Sequence, residues 1–353
     1  VSQLDNQYDG ARHANASDGL TIRDLTIRIG EKEILHGINL DLIPGQITGL
    51  AGESGSGKSI TGLAMLRLLP KNAKTGGAIT FEGRDLLTVP EREMGKIRGQ
   101  HVGMVFQDPT ASLHPMLTIE RQLTDHLRAH TGVSKKEARE RALDVLRKVK
   151  VPLPETALKK YPHQFSGGQL QRIAIAVAII CEPRILIADE PTTALDVTVQ
   201  AGVLRLLRRL CDELGLAVLL ITHDLGVMSS LADRIAVLRR GEIVEEGTRY
   251  NVLRNPQHEY TKALIDALPS HEGAGADLAS ATDAAVETAA EAVNVEGAGA
   301  DLASATDAAV EIAAEAVNVE GAGADLASAT DAAVETAVKP AAETATEKEA
   351  GND

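Results

Sequence analysis

Cysteine is nearly absent: Cys181 and Cys211 are the two thiols in 353 residues. Two cannot build a disulfide framework and are too few for a metal cluster, a usage that suits a reducing compartment. Long apolar runs are missing too. No window approaches the ~18 consecutive apolar residues of a bilayer crossing. The opening VSQLDNQYDGARHANASDGL has no apolar core, so no signal peptide is expected and any membrane role must come through a partner. There is also no basic surplus. The formal net charge is -14, but it is unevenly spread. Up to His271 there are 34 Lys+Arg against 32 Asp+Glu, and from Glu272 onward 2 against 18. The body is near neutral, and the basic footprint of a nucleic-acid binder is absent.

With 44% hydrophobic residues the chain can still build a core. Its character changes twice. Residues 1–18 are polar and read as a disordered arm. Residues 19–269 alternate β-rich and helical runs. Residues 270–353 are low in complexity, with the 24-residue unit EGAGADLASATDAAVETAAEAVNV starting at Glu272, again at Glu296 with one change, and partly at Glu320. Leu278, Val286, Val293 and Val295 are the large apolar residues of the first unit. They offer too little area to offset the entropy of ordering it, so disorder or marginal helix is expected, with an interaction element as the alternative.

Within the middle segment LTIRDLTIRI and ILHGINLDLI alternate apolar and polar residues, as half-buried antiparallel strands do. ITGLAG, HVGMVFQ, ILIADE and AVLLITH are denser and read as central strands covered on both faces. Helices are expected over Lys58–Leu69 and Asp196–Leu214, with another opening at Ser166. From Thr118 to Lys150 the pattern is helical and charged, which implies a helical insertion in an α/β domain.

The stretch GESGSGKS, Gly52-Glu53-Ser54-Gly55-Ser56-Gly57-Lys58-Ser59, follows a strand and opens a helix. Glycines at this spacing let backbone N–H groups turn toward a phosphate chain, and the helix start adds positive potential. Lys58 would hold the β and γ phosphates and the Ser59 hydroxyl a Mg²⁺ ion. Such a site needs acids. ILIADEP supplies Asp189 for the metal and Glu190 as candidate base for water, both within reach because the strand ends there. A second glycine pair opens a helix in FSGGQLQRIAIAVAI, over a hundred residues from Lys58. One nucleotide has one γ-phosphate, already held by the first loop, so this second loop implies a second chain or a second nucleotide.

From Leu20 to about Leu268 the sequence resembles the ATP-binding-cassette (ABC) ATPases. FSGGQ, with Ser166, Gly167, Gly168 and Gln169, is similar to their signature, which closes over ATP on a partner subunit. Gln107 in VFQDP matches their Q-loop, Asp196 in TALD the D-loop, and His223 in LLITHD the switch histidine. The resemblance implies a P-loop (RecA-like) nucleotide-binding core with an antiparallel β subdomain and a helical subdomain at about 108–172. It implies ATP and Mg²⁺, with Ser59, Gln107 and Asp189 around the metal. Glu190 would polarise water, His223 contact the γ-phosphate, and Gln107 link the metal to the helical lobe. GESGSGKSIT, FQDPTASLHP, YPHQFSGGQ, ADEPTTALDVTVQ and NPQHEYTKALIDALP resemble more narrowly the peptide and nickel branch of bacterial importers. That branch works at the cytoplasmic face of the membrane. Its partners are a second ATPase subunit, membrane permeases and an extracellular binding protein. The rival class is a soluble cassette ATPase on ribosomes or nucleic acid, but such relatives carry paired cassettes or coiled-coil arms that are missing here. The sequence departs from the branch at His114 (usually Asn), at Glu259 (usually Pro), and in lacking the cysteine-bearing C-terminal extension. Ile29 stands where an aromatic platform for adenine is expected.

Overall fold

The computed structural model describes residues 19–193 and 195–267. The arm and the acidic repeat tail expected from the sequence lie outside these residues. The alternating runs form β1 (Leu20–Ile29) and β2 (Lys32–Leu42), an antiparallel pair joined by a tight turn. β1 also pairs antiparallel with β4 (Ala73–Phe81), which carries the short β5 (Arg84–Asp85), giving the order β2-β1-β4-β5. The buried residues of β1 are Leu20, Ile22, Leu25 and Ile27, so the period of two slips once. A bulge at Asp24, where φ is 48°, absorbs the extra residue and returns Leu25 to the core face.

The denser runs build a six-stranded sheet from β3 (Ile47–Ala51), β6 (Val102–Val105), β7 (Ile185–Asp189), β8 (Ala217–Ile221), β9 (Arg234–Arg239) and β10 (Glu242–Thr248). Its order is β10-β9-β3-β8-β7-β6, parallel except for the β9–β10 pair. β3, β7 and β8 are interior strands with every residue buried. β6 is not the central strand its composition suggested: it is the edge. It stays covered because a helix lies against it, so close that a Cβ at Gly103 would sit 2.4 Å from the Ala178 carbonyl oxygen.

The helices are α1 (Lys58–Met65), α2 (Glu91–Gln100), α3 (Pro109–Ser112), α4 (Ile119–Thr131), α5 (Lys135–Lys148), α6 (Pro154–Ala157), α7 (Gly167–Ile179), α8 (Val197–Leu214), α9 (Leu225–Leu231), α10 (Arg249–Arg254) and α11 (Glu259–Asp266). α1 stops four residues short of the expected Leu69. Arg67 turns left-handed at φ 50°, the Leu68 N–H reaches back to the Leu63 carbonyl at 2.9 Å and the Arg67 N–H to Ala64 at 2.9 Å, a Schellman stop. The insertion between β6 and β7 is helical, with no strand among its described residues. Thr118 and Ser134 cap α4 and α5, which pack through Leu123, Leu127, Ala138, Ala142 and Leu146. Asp196 and Ser166, placed at helix starts by the sequence, cap α8 and α7.

Candidate functional site

The glycine-rich loop spans residues 52–57, between the end of β3 and the start of α1. Two of its glycines are irreplaceable in this conformation. Gly52 has φ 147°, and a Cβ there would lie 2.1 Å from the Leu238 carbonyl oxygen; Gly57 has φ 113°, with Leu35 Cδ2 at 2.6 Å from the same added atom. The loop therefore presses onto β9 and β2, with its helix start left free of any side-chain cap. Lys58 is 6% exposed, and its Nζ donates to the Gly52 and Glu53 carbonyls at 2.7 and 2.9 Å. Burial lowers its pKa, opposed by the charges of Glu190, Asp189 and Glu53. The Ser56 hydroxyl is buried with no hydrogen-bond partner. A buried cation held by its own loop carbonyls, at a helix start with no side-chain cap, fits an anion of several oxygens.

Across the sheet, β7 delivers the acids. Strand alternation would send Asp189 and Glu190 to opposite faces, but Glu190 sits at φ 46°, and this left-handed turn brings both to the loop side. Asp189 Oδ1 accepts from Ser59 Oγ at 3.0 Å. Burial raises the Asp189 carboxyl above its ordinary value, offset in part by that bond. Burial would raise Glu190 as well, yet hydrogen bonds with His223 and Thr193 outweigh it and hold this carboxyl below the usual glutamate range. Glu190 Oε1 lies 3.0 Å from His223 Nδ1, while Oε2 accepts from Gln107 Nε2 at 2.9 Å and Thr193 Oγ1 at 2.9 Å. Thr193 has no place among the residues singled out by sequence. Its signal is the turn E-x-x-T, closed by the Thr193 N–H on the Glu190 carbonyl at 3.2 Å.

Gly52–Ser59, Asp189, Glu190, Gln107 and His223 thus converge. The remaining candidates stand elsewhere. Ser166–Gln169 open α7 through reciprocal bonds, Ser166 N to Gln169 Oε1 at 3.3 Å and Gln169 N to Ser166 Oγ at 3.4 Å. Cβ atoms at Gly167 and Gly168 would meet Leu195 and Val199, so this loop rests on the start of α8, which Asp196 caps. Ile29 ends β1, paired with Lys32 and Ala73 and half-buried against the antiparallel sheet. No group of three His, Cys, Asp or Glu among the described residues forms a metal cage. Ser59 beside Asp189 suits Mg²⁺ instead, which takes one or two carboxylates and few other protein oxygens and completes its shell with phosphate and water. Chemically, the cluster can hold a phosphate chain at the loop and present an ionised carboxylate to a water molecule.

Residues 35–193 match the ABC transporter family, and residues 244–292 match the oligopeptide/dipeptide transporter C-terminal region, a match that runs into the first repeat of the tail. A probable peptide ABC transporter ATP-binding protein of Sinorhizobium fredii is 48% identical over 256 residues, covering 71% of this chain and 76% of that one. The oligopeptide transport ATP-binding protein OppD of Bacillus subtilis is 43% identical over 262 residues, covering 72% and 73%. A peptidoglycan transport ATP-binding protein of Agrobacterium fabrum is 46% identical over 267 residues, 74% of this chain; the chain spans about half, 49%, of that relative's length. Among solved structures, a post-hydrolysis ATP-binding cassette dimer bound to ADP and Pi is similar with a TM-score of 0.57 at 31% identity, covering 65% of this chain and 98% of that one.

Proposed function

The chain belongs to the ATP-binding proteins of ABC transporters, the ATPase subunits of importers, and from that premise we propose that its hydrolysis drives uptake of peptides or a related small solute such as nickel. One observation carries the site reading: neighbouring carboxylates at the end of β7 divide their work, Asp189 on the loop's Ser59 and Glu190 on Gln107, Thr193 and His223. Backbone N–H groups toward the α1 end of the Gly52–Ser59 loop cradle the phosphate chain of ATP, and Lys58 trades its two loop carbonyls for phosphate oxygens. Mg²⁺, which would be held by Ser59, Asp189 and Gln107, supplies neutralisation of phosphate charge. Glu190, kept ionised, takes a proton from the attacking water as its oxygen bonds to the γ-phosphorus and the bond to the β-bridging oxygen breaks, giving ADP and phosphate. His223, beside Glu190, faces the γ-phosphate. Ser166, Gly167, Gly168, Gln169 and Asp196 serve the nucleotide of a second ATPase subunit across a dimer interface, and Ile29 contacts adenine.

The partners of this reading are that second subunit, integral membrane permeases and an extracellular binding protein, with the ATPase at the cytoplasmic face. No helix among the described residues is long and apolar enough to cross a membrane. A soluble ATPase on ribosomes or nucleic acid is not favoured, since the relatives are named for peptide transport. Affinity purification of the full chain from membranes, followed by peptide uptake in vesicles made from the purified complex, tests the reading. A polytopic permease and ATP-dependent uptake that Glu190→Gln removes are expected; recovery with nucleic acid or ribosomes and no permease would sink it.

A further inference from the structure

Tyr260 in α11 lies 207 residues from Glu53, yet the backbone N–H of Glu53 donates to its Oη at 3.1 Å. The carbonyl of the same residue accepts from Lys58 Nζ at 2.9 Å and from the Ser56 N–H at 3.2 Å. The main chain of Glu53 is thus held at one end by the C-terminal helix and at the other by the cation of the loop. Tyr260 is itself fixed. The residue is 6% exposed, packed in one cluster with Ala51, Met228, Val237 and Val252, and Arg239 Cζ stands 4.6 Å from the ring centroid. The start of α11 is tied to β10: the Glu245 carboxylate accepts from the Gln257 and His258 N–H groups at 2.8 and 3.0 Å. Burial, and the Glu53 carboxylate, push the Tyr260 phenol up from its ordinary pKa against the pull of the Glu53 amide. Ala51 and Glu53 flank Gly52, where the strand passes into the loop at φ 147°; Ala51 lies in the apolar cluster that holds Tyr260, and the Glu53 N–H is bonded to its hydroxyl.

We propose that Tyr260 is a positioning residue for ATP binding: it fixes the Glu53 peptide, and through the Gly52 and Glu53 carbonyls it aims Lys58 across the loop before nucleotide arrives. The inference rests on the reading of this loop as the ATP site. A loop already held in its binding form loses less freedom when the ligand docks, so releasing the Glu53 peptide weakens affinity without touching the chemistry at Glu190. None of the phosphate, Q-loop, signature, D-loop or switch motifs contains Tyr260.

The test uses the full chain with ATP and Mg²⁺. Tyr260→Phe keeps the ring and its contacts but removes the hydroxyl. ATP affinity by calorimetric titration should fall about threefold to tenfold, the loss typical of one hydrogen bond. KM should rise in step while kcat stays within about twofold, the pattern of a lost uniform binding contribution. Val252→Ala thins the same apolar cluster without reaching the loop. It should lower the melting temperature more than Tyr260→Phe and leave ATP affinity within about twofold of the parent. Unchanged affinity in Tyr260→Phe, or an equal loss in Val252→Ala, overturns the positioning role. No ATP binding by the parent overturns the functional reading, and this inference with it.

Discussion

Replacing Glu190 by glutamine separates charge from geometry. The amide can occupy the place of the carboxylate: its oxygen at the Oε2 position accepts from Gln107 Nε2 and Thr193 Oγ1, and its NH₂ at the Oε1 position faces His223 Nδ1. The contacts survive when His223 carries its proton on Nε2, so the fold and the turn at φ 46° have no reason to change. What disappears is the basic carboxylate. A general base contributes ~10²–10⁴-fold, so kcat should fall by that factor, about 3–5 kcal/mol of barrier. ATP binding should hold or tighten, because one negative charge near Lys58 is gone from a site that takes a polyanion. The parent's carboxyl lies below the ordinary glutamate range, so it is ionised at neutral pH; as pH falls, base function is lost only on passing through that lowered value. The assays are phosphate release at saturating ATP and Mg²⁺, an ATP titration, and a sizing column on which the ATP-bound variant should run as a dimer. Turnover above a tenth of the parent rate, or loss of ATP binding, would refute the assignment of Glu190.

Ser166→Arg removes the cap of α7 at a stability cost of about 1 kcal/mol and should abolish hydrolysis while leaving ATP binding to the same monomer intact. A loss of monomer affinity as large as that from Lys58→Ala would show the loop acting within one chain. His126 and His130 meet edge to face at 4.8 Å against Gly99, and burial lowers both pKa values, aided at His126 by its neighbour. The unfolded chain therefore binds more protons below about pH 6.5, and stability should fall as pH drops through that window and be unaffected above it. Melting temperatures between neutral pH and pH ~5.5 check this, and a profile as steep in the His126→Gln, His130→Gln double variant as in the parent would contradict it. Ile29→Tyr should tighten ATP binding with little change in maximal rate, since an aromatic face on a base is worth roughly 1–3 kcal/mol. Unchanged affinity would mean that Ile29 does not face adenine.

The sequence by itself determined the parts that depend on neighbours along the chain. The spacing of Gly52, Gly57, Lys58 and Ser59 after an apolar run marks a strand, a loop and a helix start, because each needs only residues a few positions apart. The alternation in β1 and β2, the caps at Ser166 and Asp196, and the division between a neutral body and an acidic tail are local in the same way. Sheet order was not legible: HVGMVFQ is as apolar as an interior strand, and only the packing of α7 at Gly103 makes an edge strand so dry. The single left-handed residue that turns two adjacent acids to one side carries no mark in the letters D-E, since its conformation is imposed by the chain that surrounds it. Thr193 and Tyr260 reach Glu190 and Glu53 through hydrogen bonds that no periodicity announces. A motif is a property of consecutive residues, whereas the grip of α11 on the phosphate loop spans 207 positions and exists only once β3, β9 and β10 have brought its ends together.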